Sequence, residues 1–221
     1  MIIYHGSVKI ITKPEYGTGN TANDYGQGFY CTESIEISKE WACKKNTDGF
    51  ANRYDMNLEG LSVCNLNDDS YSILNWLALL TRYRGYWQKA SIGEEAKLFL
   101  QENYLIDISG FDVIIGYRAD DSYFSFAQDF IMGAISLQKL SVAMRLGKLG
   151  EQVVLKSSQA FEQIRYLDHE EAEAAVYYHL KTARDLEARR SYAQVKRSFE
   201  ADDIYILDII RGRVSNDDLR I

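Results

Sequence analysis

The 221-residue sequence contains one proline, Pro14, and three cysteines, Cys31, Cys43 and Cys64. A single proline excludes a proline-rich linker between domains. The cysteines do not show the C-x-x-C spacing of zinc and redox sites, and their odd number is typical of a reducing, cytoplasmic environment. No run of about 20 apolar residues is present, so we expect no membrane-spanning helix. No charged and then apolar N-terminal stretch is present either, so we expect no signal peptide.

Positive charge is also in short supply, because the formal net charge is −7 and the pI is about 5.1. This balance argues against a surface that binds nucleic acid over its whole extent. Hydrophobic residues make up 46% of the chain, which is enough for a core that needs no disulfides. His169 and His179 lie ten residues apart on one predicted helix. They are therefore about 80° apart around the helix axis, and we expect no metal site.

Short apolar runs alternate with longer amphipathic segments along residues 1–165, which is typical of an α+β fold. Strands are predicted at residues 1–5, 28–32, 53–58, 61–66, 111–117 and 151–157. Helices are predicted at residues 33–45, 71–84, 93–105, 122–135 and 137–146. The expected N-caps of the first, second and fifth of these helices are Thr32, Ser70 and Ser136.

The C-terminal segment, residues 166–221, differs in character because charged, helix-forming residues dominate it. Asp168 and Glu171 have the spacing of a capping box, which predicts a long helix beginning there. A shorter helix is predicted at residues 202–215, so we expect a helical extension beyond a first domain of residues 1–165. Residues 181–197 hold six basic and two acidic residues. This stretch has three interpretations: a surface that binds a nucleic-acid strand, a solvated helix face, or a surface on which a protein docks.

Two short motifs stand at predicted strand ends: YHGS at residues 4–7 and GFYCT at residues 28–32, with Trp41 eleven residues beyond Tyr30. They resemble the histidine strand, the tyrosine strand and the second aromatic residue of diphtheria-toxin-type and poly-ADP-ribose-type ADP-ribosyltransferases. The layout is closer still to a bacterial uncharacterised family, domain of unknown function 3990, grouped with these enzymes. Its further segments correspond here to EWA at 40–42, IIGYRADDSYF at 114–124 and EQVVLKS at 151–157.

The resemblance covers about residues 1–165 and implies an ADP-ribosyltransferase-like fold. This fold is a split antiparallel β-sheet core with flanking helices, here followed by a helical C-terminal tail. The resemblance also implies that residues 1–165 bind NAD as co-substrate and that the bond between nicotinamide and ribose is broken.

The same resemblance assigns roles to individual residues. Gly6 holds the nicotinamide carboxamide through its backbone N–H and C=O, because a glycine lets the backbone approach closely. Tyr30 and Trp41 stack against the nicotinamide ring. His5, assisted by Ser7, hydrogen-bonds the adenosine-side ribose.

Arg118, followed by Asp120 and Asp121, stands directly after a predicted buried strand. In that place it fits either a contact with pyrophosphate or acceptor, or a solvated turn with a local ion pair. Tyr25 and Gln27 precede the tyrosine strand and are expected to border the site.

The third strand of the better-known enzymes carries a glutamate that hydrogen-bonds the ribose 2′-hydroxyl. The register of the uncharacterised family indicates Gln152 for this place, whereas comparison with the poly-ADP-ribose group indicates Glu151. Adjacent strand residues point to opposite faces, so only one of the two reaches the site, and we favour Gln152. A glutamine still accepts from the hydroxyl but adds no charge, which slows the reaction by roughly tenfold to a hundredfold.

The sequence therefore predicts a NAD-dependent ADP-ribosyltransferase that acts as the toxin of a bacterial toxin–antitoxin or phage-defence system. It would transfer ADP-ribose to a protein or nucleic acid and would bind an antitoxin protein. Two alternatives remain: a non-catalytic NAD-binding or protein-interaction module, and a NAD glycohydrolase without a macromolecular acceptor.

Overall fold

A computed structural model describes residues 1–85, 87, 91–148, 150–198, 200–214 and 219. Over these residues the chain is an α+β protein with two sheets, and the predicted class is confirmed. The strands are β1 Ile2–Ser7, β2 Phe29–Cys31, β3 Gly49–Met56, β4 Val63–Asn65, β5 Val113–Tyr117, β6 Glu151–Leu155 and β7 Ile164–Ala172. The α-helices are α1 Ile35–Ala42, α2 Ile73–Tyr83, α3 Ser91–Asn103, α4 Asp121–Ile131, α5 Leu137–Ala143, α6 Ser158–Glu162, α7 Ala174–Arg197 and α8 Ile206–Ile210.

Among the described residues, the two sheets are joined by backbone hydrogen bonds at one edge. One sheet has the antiparallel order β1-β3-β7, and the other has the order β2-β6-β5-β4, in which only the β4–β5 pair is parallel. Tyr4 and Thr32 join the sheets, because each donates its N–H to the other's carbonyl at 2.7 and 2.9 Å. Beyond this pair β1 and β2 diverge, and a cleft opens between the sheets.

Two hydrophobic clusters support the sheets on either side of the four-stranded sheet. The larger cluster packs helices on one face through Trp76, Leu77, Ile114, Phe126, Phe130 and Val154. The smaller cluster fills the space between the sheets with Ile3, Cys31, Tyr54, Val113, Val153 and Leu155. β5 and β6 are covered on both faces, which explains their continuous Val and Ile runs.

Helix starts follow side-chain caps that differ in part from those predicted. Ser136 caps α5 as predicted, because its hydroxyl accepts the N–H of Lys139. Thr32 does not cap α1, since its backbone pairs with β1, and Ser34 takes that place. Ser72, not Ser70, precedes α2.

The segment after residue 165 begins with a strand rather than a helix, so the predicted capping box at Asp168 is wrong. β7 pairs with β3 along its length, and Arg53 reaches Asp168 across the pair at 3.4 Å. One face of this edge strand is exposed, so its polar sequence resembles a helix surface. His169 belongs to β7 and does not share a helix with His179. The predicted division after residue 165 falls inside this strand.

The long helix α7 lies against the body of the protein. The ring of Tyr192 stacks on Phe126 with centroids 3.9 Å apart, and its hydroxyl donates to Asp129 at 2.6 Å. α8 is shorter than predicted, and the end of the predicted helix, at residue 215, lies outside the described residues. Among the described helices none combines the length and the apolar character needed to cross a membrane.

Candidate functional site

The cleft between the sheets contains a cavity of about 640 Å³, called here the cleft cavity. Helices α1, α4 and α7 close its far side. Six of the eight residues predicted for the catalytic and cofactor-binding roles line it, namely His5, Gly6, Tyr30, Trp41, Arg118 and Gln152, and Asp120 lines it too. Ser7 and Glu151 do not line it. The Ser7 hydroxyl instead accepts the N–H of Lys9 at 3.2 Å in a local turn.

Gly6 presents a backbone donor and acceptor to the cleft. Tyr4, two residues earlier, uses its N–H and C=O to pair with Thr32 on the neighbouring sheet. Backbone groups alternate between the two edges of a strand, so those of Gly6 point to the same edge as those of Tyr4. The carbonyl of Tyr30, which would meet Gly6 if the pairing continued, is bonded to His5 instead. The divergence of the strands thus leaves an N–H and a C=O of one residue side by side at the cavity.

The absence of a side chain at Gly6 is explained by packing against α1. A Cβ there would overlap the Ser38 carbonyl and would lie 2.8 Å from Ala42 N and 3.0 Å from Trp41 Cβ. Only glycine therefore allows this approach of α1 to β1. The close contact was expected with a ligand, and the structure places it with the helix that carries Trp41 to the cavity wall.

His5 is a neutral imidazole with one ring nitrogen bonded to the backbone. Its Nδ1 lies 2.7 Å from the Tyr30 carbonyl, and since a carbonyl only accepts, Nδ1 must donate. The ring also stacks on Phe29 with centroids 4.3 Å apart. Burial lowers the pKa of His5 below its ordinary value of 6.5, against a smaller opposing effect of the bond to Tyr30. Nε2 is therefore an acceptor, suited to a hydroxyl group.

Tyr30 offers its ring rather than its hydroxyl. The hydroxyl donates to the Gly26 carbonyl at 2.6 Å and accepts the N–H of Tyr25 at 3.0 Å. Burial raises the pKa of Tyr30 far above its ordinary value of 10.0, so the phenol stays protonated. Because two backbone groups of the loop hold its hydroxyl, the half-buried Tyr30 ring is fixed in place, and it lines the cleft cavity.

Trp41 and Arg118 stack on each other inside the cleft cavity. The guanidinium carbon of Arg118 lies 3.3 Å from the centre of the Trp41 ring, a cation–π contact that covers one ring face. Burial lowers the pKa of Arg118 to about 10, and the carboxylates of Asp120 and Asp24 partly oppose this. The Nε1 of Trp41 is buried and has no hydrogen-bond partner among the described residues. The side chain of Asp121 lies outside the described part of the chain.

The first two residues of β6 point into different cavities. Gln152 is 3% exposed and lines the cleft cavity, where its Nε2 donates to Asp24 at 2.7 Å and to the Tyr117 carbonyl at 3.0 Å. Glu151 is exposed and lines a separate cavity of about 850 Å³, called here the Glu151 cavity. Burial, and then the charge of Glu33, raise the pKa of Glu151. Strand alternation therefore brings the amide, and not the carboxylate, to the cleft.

Asp24 is a cavity residue that the sequence reasoning missed. It is 5% exposed and accepts three hydrogen bonds: from Arg84 Nε at 2.7 Å, Ala119 N at 2.8 Å and Gln152 Nε2 at 2.7 Å. Arg84 also donates to the Ala119 carbonyl. The sequence D-Y-G around Asp24 is typical of a turn, and no local pattern separates it from a surface aspartate.

Helix α7 supplies a wall of the cleft cavity that was also missed. Its contribution consists of Tyr178, Lys181, Thr182, Arg184, Asp185 and Arg189. Arg184 grips the buried carboxylate of Glu40 on α1 through Nη2 at 2.6 Å and Nε at 2.9 Å. It also donates to the Gly147 carbonyl at 2.6 Å. The C-terminal helix is thus bonded to the helix that carries Trp41.

A smaller cavity of about 320 Å³ adjoins the cleft cavity beneath the loop of residues 11–29 and is called here the loop cavity. His5, Asn23 and Tyr30 line both cavities, so the two cavities meet at these side chains. Gln27 lines the loop cavity and donates to the Gly17 carbonyl at 2.6 Å. Tyr25 lies in the core below, and its hydroxyl donates to the Tyr117 carbonyl.

Comparison with known families adds one finding. A family model described as "Protein of unknown function (DUF3990)" matches residues 1–166. The chain belongs to this family. No curated protein and no solved structure matches the chain significantly.

The DUF3990 match contains all six predicted residues that line the cleft cavity, but it ends before α7. The cavity of this chain is therefore built from two parts, the family segment and a C-terminal helix beyond it. The amide of Gln152 and the carboxylate of Asp24 both lie within the DUF3990 segment.

Proposed function

We propose that the protein is a NAD-dependent ADP-ribosyltransferase and that the cleft cavity binds the nicotinamide and its ribose. The observation that carries the proposal is convergence. Residues from five separate parts of the sequence, at positions 5–6, 30, 41, 118 and 152, line one cavity. A buried cavity with a few convergent polar groups is the usual form of a small-molecule site. The resemblance to ADP-ribosyltransferases supplies the reaction.

The nicotinamide end of NAD matches the groups around Gly6. A carboxamide has one acceptor and one donor, and the Gly6 backbone offers the complementary pair at the cleft. The Tyr30 ring, fixed through its hydroxyl to Gly26 and Tyr25, offers a flat apolar surface for stacking. Arg118 covers one face of the Trp41 ring, so a ligand would contact Trp41 at an edge or on its other face.

The reaction breaks the bond between the nicotinamide nitrogen and C1′ of the ribose. The electron pair leaves with the nicotinamide, and positive charge develops on the sugar as an oxocarbenium ion. The protein accelerates this step by holding the ribose and favouring that charge. Gln152 fits the task of accepting from the 2′-hydroxyl through its carbonyl oxygen, and an acceptor nucleophile then attacks C1′. The scheme requires no metal ion.

The remainder of NAD has a path beside His5. The loop cavity adjoins the cleft cavity at His5 and Tyr30, so a dinucleotide can extend from one to the other. The Nε2 of His5 is an acceptor at this boundary and fits a hydroxyl of the adenosine-side ribose. Arg118 lines the cleft cavity, and its guanidinium would pair with the pyrophosphate.

The biological setting remains the one expected from the resemblance: a bacterial toxin of a toxin–antitoxin or phage-defence system. The acceptor would be a protein or a nucleic acid. Lys181 and Arg189 on α7 lie at the cavity and give that side cationic groups beside the reacting centre. An antitoxin protein that covers this opening would block both NAD and acceptor.

A second candidate function is a NAD-binding module without turnover. The observation that favours it is the amide of Gln152 at the cavity, where the better-known enzymes have a glutamate. Tight NAD binding with no release of nicotinamide would support this second candidate over the first.

The test compares the wild-type protein with Tyr30→Ala, Tyr30→Phe and Tyr166→Ala. Tyr30→Ala removes the stacking surface and should raise the Kd for NAD at least about tenfold. Tyr30→Phe keeps the ring and should bind within about threefold of wild type. Tyr166 is a half-buried tyrosine on β7 outside the cavities, and its replacement controls for general destabilisation.

Binding is measured by calorimetry, and nicotinamide release and bacterial growth on expression are measured in parallel. Wild-type expression should deplete free NAD or label a macromolecule and should slow growth, whereas Tyr30→Ala should do neither. The proposal fails if wild-type protein neither binds NAD nor affects growth.

A further inference from the structure

We propose that Asp24 is the positioning residue for Gln152, and that it supplies from the loop before β2 the negative charge that β6 does not bring to the cleft cavity. The inference rests on the proposed function and names how that site works when the glutamate of its third strand, Glu151, faces another cavity. It is carried by the hydrogen-bond network around one buried carboxylate.

The orientation of the Gln152 amide is fixed by its hydrogen bonds. Its Nε2 has two neighbours, the Asp24 carboxylate at 2.7 Å and the Tyr117 carbonyl at 3.0 Å. Both are acceptors only, so the nitrogen must face them and the amide cannot be turned over. The carbonyl oxygen is thereby directed away from Asp24. Among the described residues no group donates to that oxygen, which leaves it for a ligand hydroxyl.

Asp24 itself is held in place on several sides. Its carboxylate is held by Arg84 and by the N–H of Ala119, in addition to Gln152. Arg84 ends α2, and Ala119 follows β5, so the carboxylate is tied to two other elements of the fold. A group fixed on several sides positions its partner within the small tolerances that catalysis needs.

The negative charge of Asp24 affects both the Gln152 amide and the ligand. A hydrogen bond from an amide N–H to a carboxylate polarises the amide and makes its carbonyl oxygen a stronger acceptor. Asp24 and its ion-pair partner Arg84 both line the cleft cavity, and we infer that the carboxylate of the pair is the group that faces the ribose as it becomes positive. The Asp24–Gln152 pair thus divides between two residues what a single glutamate does elsewhere: one carries the charge and the other the contact.

A distinctive consequence follows for Gln152→Glu, which restores the residue of the better-known enzymes. The new carboxylate would lie against Asp24 and the Tyr117 carbonyl, and all three groups are acceptors. The introduced side chain can donate to Asp24, as the amide does, only in its protonated form. The other charged or titratable residues that line the cleft cavity are His5, Tyr30, Glu40, Arg84, Arg118, Asp120, Tyr123, Tyr178, Lys181, Arg184, Asp185 and Arg189.

We therefore expect Gln152→Glu to be less active than wild type at neutral pH and to gain activity as the pH falls. Adding Asp24→Asn removes the repelling charge, so the pH midpoint of this gain should move down by at least about one unit. This shift reports the proximity of the two carboxylates, and the comparison of kcat with KM distinguishes a catalytic effect of Asp24 from a structural one.

The main experiment measures nicotinamide release by wild type, Asp24→Asn and Asp168→Asn. Asp24→Asn should lower kcat by roughly tenfold to a hundredfold with KM within about threefold, because the effect lies on the reacting ribose. Asp168 forms an exposed ion pair with Arg53 outside the cavities, so Asp168→Asn should match wild type. If Asp24→Asn does not fold, Gln152→Glu alone decides, because it should be less active than wild type at neutral pH and gain activity as the pH falls.

The outcomes separate this inference from the proposed function. Absence of NAD binding by the folded wild-type protein overturns the proposed function and this inference with it. NAD turnover that Asp24→Asn leaves unchanged, or a Gln152→Glu variant that is as active as wild type at neutral pH, overturns this inference alone. A selective loss of kcat together with the shifted pH midpoint supports it.

Discussion

Two cavities lie on opposite sides of the start of β6, and they differ in what lines them. The Glu151 cavity is larger, about 850 Å³ against about 640 Å³ for the cleft cavity. Most of its polar side chains are exposed, namely those of Asn67, Asp68, Asp69, Arg145, Lys148 and Glu151. The cleft cavity instead contains polar groups such as Asp24 and Gln152 that are almost fully buried and hydrogen-bonded.

The difference shows that volume alone is a poor guide to a binding site. Solvated side chains can rearrange at little cost, so the Glu151 cavity fixes no particular ligand geometry. The groups around the cleft are held by backbone bonds and ion pairs, and their directions are set before any ligand arrives. Adjacent residues, Glu151 and Gln152, fall on opposite sides of this contrast because a strand alternates its side chains.

The largest effect on the difference between the two cavities is expected from Gly6→Ala, because Gly6 lines the cleft cavity and not the Glu151 cavity. A Cβ at Gly6 meets the backbone of α1, and overpacking of this kind should lower the free energy of unfolding by about 3 kcal/mol. Urea unfolding measures this change. Gly110→Ala is the control, because nothing lies within 4 Å of a Cβ there. Equal losses for the two variants would show that α1 does not depend on the glycine.

A smaller effect is expected from Arg184→Met, which tests whether α7 belongs to the cleft. The change leaves the Glu40 carboxylate, only 3% exposed, without its partner. Breaking a fully buried pair costs about 3–5 kcal/mol, and we expect about 2 kcal/mol here because Arg184 is 28% exposed.

Arg165→Met is the matched control for this wall. It removes an ion pair to Asp55 in which both side chains are exposed, and such pairs contribute no more than about 1 kcal/mol. Adding Glu40→Gln to Arg184→Met should recover part of the loss, as measured by thermal unfolding. A loss no larger than that of Arg165→Met would mean that α7 is only loosely attached.

The smallest expected effect is on the pH dependence of the free energy of unfolding. This dependence has opposite signs for His5 at the cleft cavity and Glu151 at the Glu151 cavity. The pKa of His5 is lowered in the folded protein, so the unfolded state binds more protons as the pH falls below about 6.5. Stability from the cleft side therefore falls on acidification, by at most about 1.4 kcal/mol per pH unit. The pKa of Glu151 is raised above 4.5, so its contribution to stability increases as the pH falls through the raised value.

Thermal unfolding between about pH 4 and pH 8 checks these signs in His5→Gln and Glu151→Gln. His5→Gln should flatten the decline of stability below about pH 6.5, and Glu151→Gln should remove the opposing gain at lower pH. Curves parallel to wild type for both variants would contradict the assigned environments.

The strand motifs could be identified from the sequence because their chemistry is local. His5 and Gly6 stand together at one strand end, and Tyr30 follows a glycine turn that fixes where its strand begins. Gln152 could be chosen over Glu151 only by register, since both residues fit a strand start. The structure resolves their directions because β6 pairs with β2 and β5 on both edges.

The remaining cavity residues could not be predicted because their roles depend on distant partners. Asp24 acquires its role from Arg84 and Gln152, which lie 60 and 128 residues away. Arg184 meets Glu40 across 144 residues. The sequence of the β7 segment predicts a helix because its exposed face carries charged residues, whereas strand pairing with β3 decides its conformation.

The stack of Arg118 on Trp41 has a consequence for how any planar molecule enters. The side chain occupies one face of the indole, so a ring that would stack on that face meets an internal competitor. A ligand that stacks on that face must first dislodge the guanidinium. Its apparent affinity is then reduced by the fraction of molecules in which the arginine has already swung aside. Shortening this side chain would tighten the association of a neutral ring while weakening that of an anion.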